Sequence, residues 1–191
     1  MYPKLPKLIK YLNSLEQTKS IFLVTNGQEP DMIQKLQDED ALPTQLYLST
    51  NAADYESFMR INKPRYDDSW ERWNRTLGML KDLNTRTVLR ITLIRDYNDQ
   101  KESIPAFAEM FRKASPHFIE IKSYMHIGRS TNRLEHANML EMEEVKKFSE
   151  ELAKQSKIFS IMDESIVSRI SILQNNERFI DRFIPTYANT N

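Results

Sequence analysis

Apolar positions recur at helical spacing in Leu5, Leu8, Ile9, Leu12 and Leu15, predicting a first helix of about three turns with Pro3 and Pro6 near its start, where proline is tolerated. The run from Ser20 to Thr25 is short, apolar and rich in β-branched residues, and Asn26-Gly27 stops it, so it reads as a buried strand. Pro30 opens a second helix through Met32, Ile33 and Leu36. A second strand follows at 45–50, then a helix through Tyr55, Phe58 and Met59. Pro64 breaks the chain, and Asp67, Asp68 or Ser69 can cap the next helix, on which Trp70, Trp73, Leu77 and Leu80 share a face. Both tryptophans therefore belong to the core. A third strand at 88–94 is closed by Asp96 to Asp99, Ile104, Phe107, Met110 and Phe111 mark the following helix, and 118–122 is a fourth strand. Strands separated by helices of this length argue for right-handed crossovers and a parallel sheet.

From His126 the rhythm changes. A polar loop runs to Asn138, a charged helix covers roughly 141–154, and 158–162 and 167–173 read as two further strands, an α+β appendage to the repeating unit. Phe179, Ile180 and Phe183 fall at helical spacing, predicting a packed tail whose last residues fray.

Parallel strands covered by helices on both sides should be apolar throughout, yet most of these alternate. Leu46 and Leu48 oppose Gln45, Tyr47, Ser49 and Asn51; Leu89, Ile91 and Leu93 oppose Arg90 and Thr92; Ile119 and Ile121 oppose Glu120 and Lys122. One face meets helices and the other gathers hydrogen-bonding groups, the pattern of a whole or partial β/α barrel with ligands at the C-terminal strand ends, where Asn26, Asn51, Asp96 and Ser123 lie. Arg90, Glu120 and Lys122 leave two readings open, a structural ion-pair network or a ligand site.

Composition narrows the chemistry. The 191 residues suffice for one core, and no run approaches the ~20 apolar residues of a membrane span or forms a signal peptide, so the chain reads as cytoplasmic with no membrane partner. Lys and Arg total 27 against 27 Asp and Glu, so any nucleic-acid contact must come from a local patch. Three glycines leave no phosphate-cradling loop, and the absence of cysteine excludes thiolate catalysis and any iron–sulfur cluster held by this chain. His117, His126 and His136 are too scattered to suggest a metal site and read as ordinary surface or loop histidines.

Several segments together resemble the 4-demethylwyosine synthase family, radical S-adenosylmethionine carbon–carbon lyases of wybutosine synthesis on phenylalanine tRNA. The resemblance runs through Tyr2-Pro3, Phe22 to Gly27, Pro43 to Ser49, Arg86 to Leu93 and Phe118 to Lys122. More specific are Tyr124-Met125-His126 with Gly128, Ser130 and Asn132-Arg133-Leu134, and Asp163-Glu164-Ser165 with Ser168-Arg169, which look like the family's wyosine-forming region. The resemblance implies residues 1–125 as a partial radical-S-adenosylmethionine-type β/α barrel with parallel strands, and 126–191 as a wyosine base formation extension. It implies a reaction joining pyruvate-derived carbons to N1-methylguanosine beside the anticodon to build a tricyclic base. S-adenosylmethionine and 4Fe-4S clusters would serve that reaction, the clusters held by cysteine loops that this chain lacks. The expectation is a C-terminal portion of such an enzyme, with the cysteine-bearing N-terminal half in the unread part of the gene or on a separate chain. The alternative is a non-catalytic α/β module that keeps tRNA or nucleoside binding.

By the same resemblance, Asn26, Ser49, Asn51 and Arg90 are expected at the cofactor, and Glu120, Lys122, His126, Arg129, Arg133 and Arg169 at the substrate or tRNA; no residue is a metal ligand and no catalytic residue is assigned. Asn51 stands where the family has an aspartate, Ser123 where it has a glycine, and Met142 where it often has a histidine.

Overall fold

Alternate residues of each strand decide which face of the sheet meets the helices. The computed structural model of the protein describes residues 1–184. Its order is α1 (Leu5–Asn13), β1 (Phe22–Thr25), α2 (Pro30–Asp38), β2 (Gln45–Ser49), α3 (Tyr55–Asn62), α4 (Ser69–Met79), β3 (Arg86–Leu93), α5 (Ile104–Ala114), β4 (Phe118–Ser123), α6 (Met142–Ser156), β5 (Phe159–Ser165) and β6 (Ile170–Asn175). The strands form one six-stranded sheet in the order β1-β2-β3-β4-β6-β5. β1 to β4 are parallel, whereas β6 runs antiparallel to β4 and β5 antiparallel to β6, so the appended hairpin extends the same sheet. Among the described residues the sheet does not close into a barrel.

Leu46, Leu48, Leu89, Ile91, Leu93, Ile119, Ile121 and Leu173 point to one side and are buried in a single cluster with Ile9, Ile33, Phe58, Trp73, Leu80, Phe107, Phe111, Val145 and Leu152 from the helices. Removing this apolar area from water is the main stabilising term of the fold. In-register rows cross the opposite face: Gln45 beside Arg86, Tyr47 beside Val88 and Phe118, Ser49 beside Arg90 and Glu120, and Thr92 beside Lys122 and Ile170.

Four expectations need correction. β1 is not a buried strand: it is an edge, and Phe22 and Val24 are each 52% exposed because, among the described residues, no helix or strand covers their face. The hairpin strands lie later than the pattern predicts, since Ile166 and Val167, β-branched and strand-like in sequence, occupy the turn between β5 and β6. Asp68 precedes α4 without a side-chain capping bond and instead accepts from Arg72 Nε at 2.8 Å. The tail forms no helix up to residue 184, and Phe179 and Phe183 are exposed. It is held by polar bonds: Arg178 donates to the carbonyls of Leu80, Leu83 and Ser115, Arg86 to those of Asp181 and Arg182, and Arg182 pairs with Asp163. The expected fraying of the last residues lies outside the described residues.

Candidate functional site

The C-terminal ends of β1 and β2 open into a cavity of about 740 Å³, lined by Thr25, Asn26, Gln28, Ser49, Asn51, Phe58, Tyr66 and Trp73 among others. The Asn26-Gly27 turn shapes its floor. Gly27 has φ +77°, and a Cβ there would come within 2.8 Å of Leu48 Cδ1 and 2.9 Å of Trp73 Cδ1, so only glycine fits. Trp73 Nε1 donates to the Ser49 carbonyl at 3.1 Å and Thr76 Oγ1 to the Gly27 carbonyl at 2.8 Å, tying α4 to both strand ends. Three of the four residues expected at the cofactor, Asn26, Ser49 and Asn51, therefore converge on one cavity. Asn51 Oδ1 accepts from the Thr92 amide at 3.0 Å, which leaves its Nδ2 to donate where an aspartate would accept.

Arg90 does not line that cavity. It reaches across the open face, donating to Glu120 Oε1 at 2.7 Å, and lies 4.3 Å over the Tyr47 ring. Tyr47 Oη accepts from Gln45 Nε2 at 2.7 Å, and Gln45 Oε1 accepts from Arg86 Nε at 2.9 Å, so the polar face is one linked chain of side chains down to the tail. Burial, with the Glu120 carboxylate second, holds the Tyr47 phenol above its ordinary pKa, and burial lowers that of Arg86. A second cavity of about 200 Å³ lies between this network and the tail, bounded by Phe22, Phe118, Met162 and Arg182. Lys122 stands on the same face between Thr92 and Ile170 and forms no ion pair among the described residues.

The remaining residues expected at the substrate cluster around the end of β4. The Ser123 amide donates to the Arg169 carbonyl at 3.1 Å, and Ser123 Oγ accepts from the Leu140 amide at 2.8 Å, so hairpin turn and polar loop meet at this residue. On the loop, Tyr124 Oη lies 3.1 Å from His126 Nδ1 and donates to Ser130 Oγ at 3.1 Å, while the His126 and His136 rings stand edge to face at 6.1 Å. Arg129 lies in the 3-10 turn Gly128–Asn132 and Arg133 just after it, both exposed. Arg169 is bound to the fold, through the Leu140 carbonyl at 3.2 Å and Glu141 Oε2 at 2.9 Å.

Two residues here hold positions that the sequence expectations did not assign them. Arg95, just past β3, donates twice to Glu144 on α6 at 2.6 and 2.7 Å and once each to the carbonyls of Ala137 and Met139 at 3.0 Å, fastening the loop to the strand ends. Its hydrogen bonds hold the Glu144 carboxylate below its ordinary pKa. His117 is no surface or loop histidine: it is buried, its Nδ1 accepts from the Thr87 amide at 3.1 Å, and burial followed by the Arg178 and Arg86 charges lowers its pKa to about 4. Neither pairing leaves a periodic signal in the sequence.

Among the described residues no group of three or more His, Cys, Asp or Glu could hold a metal ion, and the chain has no cysteine, so the residues present do not fit an iron–sulfur cluster. No described helix is long and apolar enough to cross a membrane.

Residues 113–175 match the protein family described as wyosine base formation. The chain is 37% identical over 177 residues to the S-adenosyl-L-methionine-dependent tRNA 4-demethylwyosine synthase of Pyrococcus abyssi, covering 93% of this chain and 51% of that protein. Identity to the synthase of the same name from Methanocaldococcus jannaschii is 41% over 183 residues, covering 95% and 54%. A solved structure of TYW1 with a lysine-pyruvate adduct bound superposes with a TM-score of 0.81 at 39% identity, over 94% of this chain and 54% of that one. The radical SAM enzyme coproporphyrinogen III oxidase from Escherichia coli, at 14% identity and a TM-score of 0.55, shows the fold alone. Along nearly its whole length the chain is thus related to the tRNA 4-demethylwyosine synthases, and it spans about half the length of the curated relatives it matches.

Proposed function

We propose that this chain supplies the C-terminal portion of a tRNA 4-demethylwyosine synthase, contributing part of the S-adenosylmethionine pocket and the wyosine-forming loop, while a cysteine-bearing portion supplies the clusters. The observation that carries this reading is the convergence of Asn26, Ser49 and Asn51 on one strand-end cavity in a chain whose residues 113–175 match the wyosine base formation family. The proposed substrate is N1-methylguanosine in phenylalanine tRNA, with pyruvate as carbon donor, in the cytoplasm.

The cavity suits a nucleoside. Asn51 Nδ2 and the Ser49 hydroxyl can hydrogen-bond ribose hydroxyls, and Asn26 can meet the polar rim of the ligand. When bound beside a reduced cluster, S-adenosylmethionine supplies a carbon radical; this chain's own part is to hold the nucleoside and keep the base away from bulk water. Without thiolates it cannot ligate the cluster, so on its own it binds rather than turns over. That same absence of cysteine favours, as a second reading, a module retained for nucleoside or tRNA binding alone.

The test mixes the purified chain with the cysteine-bearing half of a related synthase, S-adenosylmethionine, reductant, pyruvate and tRNA carrying N1-methylguanosine. Tricyclic base formed only with both halves supports the first reading. No product with an authentic partner overturns it, and retained binding of S-adenosylmethionine or tRNA by the chain alone then favours the second.

A further inference from the structure

At the tip of the β5–β6 hairpin the backbone closes a turn through the Arg169 amide to the Ile166 carbonyl at 3.2 Å. Turns of this kind favour glycine, asparagine, aspartate or proline. Here the turn carries Ile166, 75% exposed, and Val167, 95% exposed, and Arg169 takes φ 50° in the left-handed region although it is not glycine. Its side chain is drawn into the fold by the Leu140 carbonyl and Glu141, while its own carbonyl accepts from the Ser123 amide. The turn is therefore anchored firmly at its base, and its apolar tip is left projecting.

That tip stands at the strand end of β4, beside the loop that leaves Ser123 and returns to it at Leu140. The loop adds Ile127, 69% exposed, and the cations Arg129 and Arg133, which form no ion pair among the described residues. Both acidic groups of the hairpin are neutralised in place, Glu164 by Lys146 and Asp163 by Arg182, and Glu141, which precedes α6, is paired with Arg169. Exposed apolar side chains with unpaired arginines beside them and internally paired carboxylates suit a polyanion whose bases can be touched as well as its phosphates.

We propose that Ile166 and Val167 form an apolar wedge that enters the base stack of the RNA substrate when its target base is drawn out toward the C-terminal strand ends, with Arg129 and Arg133 on the flanking phosphates. The inference rests on the tRNA reading above and extends it. A base that reacts inside a cavity must leave its stack, and unstacking and unpairing it is unfavourable. Apolar side chains inserted between base steps occupy the vacated space and keep the nucleic acid in the open form. Projecting β-branched side chains on an anchored turn suit this task, since little rotamer freedom is lost on insertion.

The experiment measures binding of the 191-residue chain to an anticodon stem-loop RNA carrying N1-methylguanosine, with 2-aminopurine beside that base. The parent chain is expected to bind with a rise in 2-aminopurine fluorescence. Val167→Asp and Ile166→Ser should each weaken binding about tenfold and abolish the rise, with an unchanged melting temperature because both side chains are exposed. Val167→Ile should restore both signals. Variants that bind and unstack the RNA as the parent does overturn the wedge while leaving the tRNA reading intact; a parent chain that binds no RNA, either alone or with the cysteine-bearing half, overturns both. Variants that keep RNA binding and unstacking but lose association with the cysteine-bearing half overturn the wedge in favour of a protein interface.

Discussion

Arg90 on β3 grips Glu120 on β4 through two hydrogen bonds, Nε to Oε1 at 2.7 Å and Nη2 to Oε2 at 3.3 Å. The two side chains are 27% and 10% exposed, and the guanidinium also covers the Tyr47 ring. Arg90→Ala strands a largely desolvated carboxylate and should cost about 2 kcal/mol, less than a fully buried pair because the face is open to solvent. Glu120→Gln keeps one bond to the guanidinium and should cost about 1 kcal/mol. Urea unfolding at pH 7 checks both, with lowered midpoints and unchanged slopes expected.

His117 gives the fold an acid sensitivity. Its imidazole is buried as an acceptor of the Thr87 amide between two guanidinium groups, with a pKa lowered to about 4 from an unfolded value of 6.5. Between these values the unfolded chain binds a proton that the folded chain refuses. Stability is therefore full above about pH 6.5 and falls as pH drops toward 4, by no more than about 3 kcal/mol. His117→Gln should flatten the change in urea midpoint between pH 7 and pH 5. An unaltered slope in that variant would assign the acid sensitivity to other groups.

The parts of this fold legible in the sequence are those where a local period meets a single apolar layer. Leu46 and Leu48, Leu89 to Leu93, and Ile119 and Ile121 alternate because helices cover one face only. Phe22 and Val24 mislead for the opposite reason: they are apolar, but on the uncovered face of an edge strand. Ile166 and Val167 look like strand because β-branching is a strand signal, yet they form a turn whose pull comes from Arg169. Asn26 and Asn51 are legible as strand-end residues because each follows a parallel strand, whereas Ser49 joins them only through the family resemblance. Arg95 with Glu144 could not, since a pair 49 residues apart has no local pattern.

Ser123 stands where related sequences are expected to carry glycine, and its hydroxyl has a definite task. It is fully buried, accepts from the Leu140 amide at 2.8 Å and donates to the Tyr124 carbonyl at 3.0 Å. Ser123→Ala leaves a buried amide without a partner and should cost about 1–3 kcal/mol. The effect should be local first: amide exchange in residues 125–140 accelerates while that of β2 and β3 is unchanged. A glycine at the same place should behave like alanine; equal protection in all three proteins would mean that Arg95 and Arg169 suffice to hold the loop.

Among the described residues no strand pairs with the backbone groups of β1 that point away from β2, and they lie next to two half-exposed apolar side chains, Phe22 and Val24. Such an edge is a template for another strand, and natural proteins blunt it with charge, proline or a bulge, none of which β1 has. The isolated chain should therefore self-associate, and sedimentation velocity should show the weight-average mass rising with concentration. Val24→Lys places a charge on the uncovered face at little cost to the fold, because that side chain is already half exposed and lies outside the apolar cluster. It should lower the association while leaving the melting temperature of the monomer unchanged. If the edge instead receives a strand from a cysteine-bearing half, the same lysine should weaken that complex, and adding the half should suppress self-association of the parent chain. A parent chain that stays monomeric at about 100 μM, where an interaction of roughly 5–6 kcal/mol would already pair half the molecules, shows that the edge is closed by other means.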